Sequence, residues 1–214
     1  MPIAATPRKN VPIRTISGRL LRMEAHHSTA LGVLLAAGSG ARFSGSLHKL
    51  LSHIDGQTVI SCSLTAMTGS HLDGFIVVSG ALDLNGHIGD VDEVHNPDWK
   101  TGQRSSVITA MQFARSHGYN AIVVGLADQP FLTSQAWTNV ASSTSTIAVA
   151  TYNGTRGNPV RLHSSVWDSF EDLEADPDAG ARSLIHLHPE LVREVACEGN
   201  PADIDTTEDL DTWT

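Results

Sequence analysis

From residue 31 onward the chain alternates short apolar runs, each ending at a small or turn-forming residue, with stretches of helical spacing. LGVLLAA (31–37), FIVVSG (75–80), EVHN (93–96), AIVVGLA (121–127), IAVATY (147–152) and VREVAC (192–197) read as strands. Between them, TVISCSLTAM (58–67), SSVITAMQFARSHG (105–118) and SQAWTNVASS (134–143) read as helices. Thr133 or Ser134 serves as an N-cap and Gly118 as a helix stop. Near-continuous apolar strands alternating with helices predict an α/β fold with a mostly parallel central sheet covered on both faces. No repeat or low-complexity block interrupts the series. A chain of 214 residues suits one core, expected over 30–214.

Residues 1–29 differ in character. They carry Arg8, Lys9, Arg14, Arg19 and Arg22 with few apolar residues, and Met23 stands as a second candidate start. A disordered N-terminal extension is expected there. The whole chain has fourteen Lys plus Arg against twenty-three Asp plus Glu, a net charge of −9. That balance argues against bulk electrostatic capture of nucleic acid, so any anionic ligand must be gripped locally. Cys62 and Cys197 are the only two cysteines, too few for a disulfide framework, and no apolar run approaches the roughly 20 residues of a membrane span. A cytoplasmic protein without a membrane partner is expected.

In an α/β sheet the loops at the carboxyl ends of strands are where ligands bind. The first, GSGARFSGSLHK (38–49), offers Gly38, Ser39 and Gly40, whose backbone N–H groups can form a concave anion site, and then Arg42 and Lys49 to close over it. Phe43 stands where a dinucleotide fingerprint wants glycine, and Leu50 follows Lys49 where a Walker A loop wants Ser or Thr. The loop therefore suits a nucleotide triphosphate held some other way; the plain alternative is an ordinary strand-to-helix turn with solvated cations. AIVVGLADQPFLTSQ (121–135) places Asp128 directly after a strand that Pro130 stops. A carboxylate beside a triphosphate can hold Mg2+, with phosphate and water completing the shell. In PADIDTTEDL (201–210), alternation turns Asp203 and Asp205 to one side and Ile204 to the other, giving a second metal ligand. Alternatively, Asp205 is the N-cap of a helix over TTEDL.

Taken together, LLAAGSGARFSGSLHK, HNPDWKTGQRSSV, GLADQP, RGNPV, DAGAR and DIDTTEDL resemble, in order and spacing, the MobA-like nucleotidyltransferases, and among them the molybdenum cofactor cytidylyltransferase branch. The resemblance spans residues 31–211. It implies a Rossmann-like three-layer nucleotidyltransferase fold and transfer of CMP from CTP to the terminal phosphate of molybdopterin, with release of pyrophosphate and dependence on Mg2+. By the same resemblance Leu35, Ala36, Ala37 and Gly38 line the base and ribose, Arg42 and Lys49 hold the triphosphate, and Asp128 and Asp205 coordinate the metal. Asn96, Trp99, Gly102, Ser105, Ser106, Gly157, Asn158 and Pro159 form the acceptor wall. Passing contact with a molybdoenzyme or its maturation chaperone is implied as well. Ala36 and Ala37 stand where the guanylyl branch tends to have glycines, which favours cytidine. The rival functions are transfer to another small phosphorylated acceptor and non-catalytic carriage of the cofactor.

Several residues carry plainer readings. His186 and His188 lack metal-ligand partners at suitable spacing, and Trp167 and Trp213 read as packing. Trp99 fits either a pterin-stacking wall or packing, and Ser105 and Ser106 either cap a helix or contact a phosphate.

Overall fold

The computed structural model describes residues 29–45, 47–174 and 176–213. The extension expected over 1–29 lies, apart from Thr29, outside the described residues. β1 (Ala30–Ala36) is buried along its whole length. It is followed by the glycine loop, a 3-10 turn (Lys49–Leu51), and a small hairpin of β2 (His53–Ile54) and β3 (Gln57–Thr58). The chain continues through α1 (Val59–Thr68), β4 (Gly74–Ser79), β5 (Asp92–His95), α2 (Gln103–Ser116), β6 (Ala121–Leu126) and α3 (Ser134–Ala141). It ends with β7 (Ile147–Tyr152), β8 (Thr155–His163), α4 (Trp167–Asp172), α5 (Arg182–Leu187), β9 (Val192–Ala196) and α6 (Thr207–Asp211).

Seven strands form one sheet in the order β5-β4-β1-β6-β8-β7-β9, in which β8 alone runs opposite to its neighbours. Alternation along each strand divides the core between the two faces. Leu34, Val77, Val123 and Ala148 meet Ile60, Met67, Trp137 and Val140 of α1 and α3. Val33, Ile76, Val124 and Val149 meet Met111, Trp167, Phe170 and Leu184 of α2, α4 and α5. Three layers result, as the buried strands predict.

From β1 the chain steps outward to β4 and β5, then returns to β6 on the other side of β1. The carboxyl ends of β1 and β6 therefore flank a topological switch point, where the loops diverge and leave a crevice. A second opening lies between β6 and β8. These strands pair from Ala121–His163 to Val124–Val160 and then part, for Pro159 has no N–H to continue the ladder. On its other side β8 shifts register against β7 between Val149 and Ala150.

Some expected boundaries need correction. α2 begins at Gln103, ahead of the expected Ser105, with Gly102 at its N-cap and φ of 114°. Ser105 and Ser106 thus lie inside the first turn, and neither caps the helix. β8 was not expected, because Gly157 and Pro159 break the strand pattern. The caps at Thr133 and the stop at Gly118 (φ 79°) are as expected.

Candidate active site

The glycine loop leaves β1 at the switch point. Gly40 sits at φ 63°, and the His48 ring lies beneath it. His48 Nε2 is 3.2 Å from the Gly38 carbonyl, and its Nδ1 accepts from Leu50 N at 3.3 Å, so one neutral tautomer holds both ends of the loop. Burial holds the imidazolium of His48 below its ordinary value, more than the Gly38 carbonyl can offset. Gly38 is different: its φ is not left-handed, and a Cβ built there meets nothing within 4 Å. Among the described residues no contact requires glycine at 38, and the open space above it belongs to a cavity.

That cavity, of about 260 Å3, is lined by Leu35, Ala36, Gly38, Ser39, Gly40, Arg42, Lys49, Asp128 and Asp205. The structure brings these candidates together. Lys49 Nζ donates to Asp128 Oδ2 at 2.6 Å and to Asp205 Oδ1 at 2.8 Å, while Arg42 pairs with Asp205 Oδ2 at 3.0 Å. Burial alone would depress the Lys49 ammonium; the two carboxylates outweigh it and hold its pKa above the ordinary value. Asp128 Oδ1, by contrast, is buried without a hydrogen-bond partner.

Asp205 reaches this cluster because Ile204 is fully buried and its N–H donates to the Asp128 carbonyl at 2.9 Å. The alternation read over 203–205 therefore places Ile204 inward, although no paired strand forms there. The cap reading of Asp205 is overturned: Thr206 is the N-cap of α6, its hydroxyl accepting from Asp209 N at 3.1 Å while Asp209 Oδ2 accepts from Thr206 N at 2.8 Å. This capping box leaves the Asp205 carboxylate to the cations.

The residues assigned to an acceptor wall divide. Trp99, Gly102 and Ser106 line a cavity of about 340 Å3 together with Ala37, and it shares Gly38, Ser39 and Asp128 with the first. Trp99 also packs so tightly on Gly80 that a Cβ there would lie 2.7 Å from Trp99 Cβ, so packing and cavity lining coexist. Gly157 and Asn158 line a third cavity, of about 380 Å3, in the gap between β6 and β8. Asn96 lines neither of these. It is buried, donating through Nδ2 to Ser105 Oγ at 2.8 Å and Ser106 Oγ at 3.0 Å, and accepting from Asp98 N at 2.9 Å. It pins the start of α2, and together with Ser105 it lines a separate hollow beside Arg104 and Pro177. Pro159 is buried where the β6–β8 ladder ends.

Sequence reading passed over Gln129, which is buried and fully bonded. Its Nε2 donates to Pro201 O at 2.9 Å and to Asp203 Oδ1, and its Oε1 accepts from Asn158 Nδ2 at 3.0 Å. Its position beside Asp128 was the available signal. Asp203 exposes part of its surface, yet the burial of its carboxyl, and then the charge of Asp128, push its pKa up. Arg156, Arg182 and His186 stand on the rim of the same cavity. Trp167 is core, and Trp213 packs on Phe131 with ring centroids 4.4 Å apart.

With the geometry in place, comparison with known proteins decides the family. The MobA-like NTP transferase domain matches residues 32–194. The chain belongs to that family. Purine catabolism protein PucB of Bacillus subtilis is 30% identical over 201 residues, covering 85% of this chain and 94% of PucB. Among solved structures, the Rv0371c homologue from Mycobacterium sp. strain JC1 aligns with a TM-score of 0.73 at 26% identity, over 86% of this chain and 94% of the other. Rv0371c of Mycobacterium tuberculosis H37Rv, solved as a complex with manganese, aligns at 0.67 and 26% identity, over 86% and 97%. This MobA-like NTP transferase has the nucleotidyltransferase fold that the sequence resemblance implies.

The donor set of this MobA-like NTP transferase fits a divalent ion. The unpartnered buried oxygen of Asp128 and the carboxylate of Asp205 are hard ligands, and Mg2+ takes one or two such carboxylates and fills its shell with phosphate and water. Among the described residues no group of three or more His, Cys, Asp or Glu could hold a metal by itself. Among them, too, no helix is long and apolar enough to cross a membrane.

Proposed function

We propose that this nucleotidyltransferase transfers CMP from CTP to the terminal phosphate of molybdopterin and releases pyrophosphate, using Mg2+ held by Asp128 and Asp205. The observation that carries the reading is the position of Asp128. Its carboxylate stands on the seam between the glycine-loop cavity and the cavity under Trp99, with one buried oxygen free. A bound divalent ion there would neutralise charge on the reacting phosphates.

The chain's own residues supply the rest. Backbone N–H groups of the loop from Gly38 to Gly40 receive phosphate oxygens, and Arg42, mostly exposed, is free to swing onto them. Leu35 and Ala36 line the cavity where the base would enter, and alanine rather than glycine at 36 and 37 leaves less room there, which supports cytidine over a purine. The gap between β6 and β8 has an apolar floor of Val124, Val149, Val160 and Ile185 and a polar rim that includes Gln103, Asn158 and Arg182. Such a slot suits a flat heterocycle with hydrogen-bonding edges and an anionic tail. Holding two anions in line and offsetting their repulsion is the work required, and no covalent intermediate is needed. The site's residues lie in the cytoplasm on this reading, where the molybdoenzyme or its chaperone collects the product.

The test is pyrophosphate release by purified protein given molybdopterin cofactor and Mg2+ with each of CTP, GTP, ATP and UTP. CTP should be turned over best. Turnover with GTP at an equal rate overturns the cytidine assignment. Release only with a sugar or other small phosphate as acceptor replaces molybdopterin, and tight cofactor binding without release replaces transfer by carriage.

A further inference from the structure

Of the four carboxylate oxygens on Asp128 and Asp205, three are held by cations of the chain itself. Lys49 takes Asp128 Oδ2 and Asp205 Oδ1, Arg42 takes Asp205 Oδ2, and only Asp128 Oδ1 lacks a partner. We propose that Lys49 is an exchangeable stand-in for the divalent ion, closing the metal site until a polyphosphate draws its ammonium away. This deepens the reading above and rests on it, because it takes Asp128 and Asp205 as the metal's carboxylates.

The geometry supports exchange rather than coexistence. An ion using both carboxylates can take Asp128 Oδ1, but at Asp205 it must approach an oxygen that already receives Lys49 at 2.8 Å or Arg42 at 3.0 Å, and it would lie beside the Lys49 ammonium, a like charge. The Lys49 side chain is 12% exposed, so water screens that repulsion poorly. Arg42 is different, since its side chain is 77% exposed and leaves Asp205 at little cost. Lys49 also has somewhere to go. It begins a 3-10 turn directly after His48, whose ring contacts the Gly38 carbonyl, so its four-carbon stem starts from the rim of the phosphate loop. A polyphosphate on that loop offers the ammonium new anionic partners, and its departure frees one oxygen on each aspartate. Metal and nucleotide then favour each other reciprocally, and the empty enzyme does not hold a metal ion unproductively.

The test uses the full chain in two arms. In the first, calorimetric titration with Mn2+ alone compares wild type, K49Q, K49R and K49Q/D128N. K49Q should bind Mn2+ at least about tenfold more tightly than wild type, a difference of about 1.4 kcal/mol; K49R, which keeps the charge, should remain as weak as wild type. Equal affinity in wild type and K49Q overturns the proposal. If K49Q retains Mn2+ and the double variant K49Q/D128N retains it equally, Asp128 is not a ligand, and the underlying metal assignment fails instead. The second arm needs no substitution, so it stands even if K49Q does not fold. The chain has three lysines, Lys9, Lys49 and Lys100, which give three ammonium signals in protein labelled with 15N-lysine. Tripolyphosphate without metal should move the Lys49 signal, and Mg2+ alone at the same concentration should not. A Lys49 signal unmoved by saturating tripolyphosphate overturns the proposal.

Discussion

Asn158 Nδ2 donates to Gln129 Oε1 at 3.0 Å, tying the reversed strand β8 to the loop that carries Asp128. The two residues are 29 positions apart, and their bond spans the gap where β6 and β8 separate. Through Nε2 the same glutamine holds Pro201 and Asp203, so one buried amide fixes three segments around the site.

Gln129→Leu should therefore act on the acceptor side. It leaves Asn158 and the Pro201 carbonyl, both half-buried, without their partner, at a cost of about 1 kcal/mol each, the low end for a lost buried partner, visible as a lower Tm. KM for the acceptor should rise while KM for CTP stays near wild type. A rise in both, or in CTP alone, would refute this division of the site.

Asp128→Ala should lower metal-dependent turnover by about 100-fold or more, the usual consequence of losing an electrostatic anchor. From sequence alone, removal of a carboxylate facing phosphates should leave the apo protein as stable or more so. The 2.6 Å pair with Lys49 reverses that expectation. Lys49 keeps Asp205 but loses one charge-assisted hydrogen bond, so stability should fall by about 1 to 3 kcal/mol. Thermal melts without metal read the difference, and an Asp128→Ala protein of near-normal turnover would remove Asp128 from the reaction.

Asp205 and Thr206 are neighbours with separable effects. Thr206→Ala breaks the capping box and should cost about 1 kcal/mol with turnover close to wild type. Asp205→Ala should lower turnover on the order of 100-fold and leave the cap of α6 in place. Parallel melting and steady-state assays of the two variants check this, and the opposite pattern would return Asp205 to a capping role.

Acidification should weaken the glycine loop. His48 is held below its ordinary value of 6.5 by burial, so the unfolded chain takes up a proton before the folded one does. Its contribution is complete above 6.5 and is lost as pH falls from 6.5 toward the lowered folded value. Wild-type Tm should drop across that window, and His48→Asn should show a shallower drop. Identical pH profiles for the two proteins would show that His48 does not titrate with unfolding.

The parts of the fold legible in the sequence were those where burial leaves a periodic trace. β1, β4, β6 and β7 lie inside a sheet covered on both faces, and their apolar runs mark them to within about a residue or two of their bounds. Asp128 was legible because a strand must end before Pro130 and the loop after it faces the crevice. β8 was not, because its first half exists to break a ladder: Gly157 and Pro159 read as loop residues and sit in a strand only where pairing with β6 stops. The choice between Asp205 and Thr206 as cap was invisible for a different reason, since Asp and Thr are both good caps one position apart and only backbone geometry separates them. Lys49 shows the sharpest limit. Its partners lie 79 and 156 residues away, beyond the reach of any local pattern.

The parting of β6 and β8 after Val124–Val160 makes the second half of the site a slot cut by main chain rather than hollowed among side chains. It opens where two strands cease to pair, beside the register shift of β8 against β7 at Val149–Ala150. Substituting residues along the walls changes what the slot prefers, whereas moving the proline or the shift by one position changes what physically enters. The nucleotide end, built on the switch point between β1 and β6, would be untouched by such a move. On the function proposed above, new acceptors are reachable by editing one hairpin while the nucleotide end stays as it is.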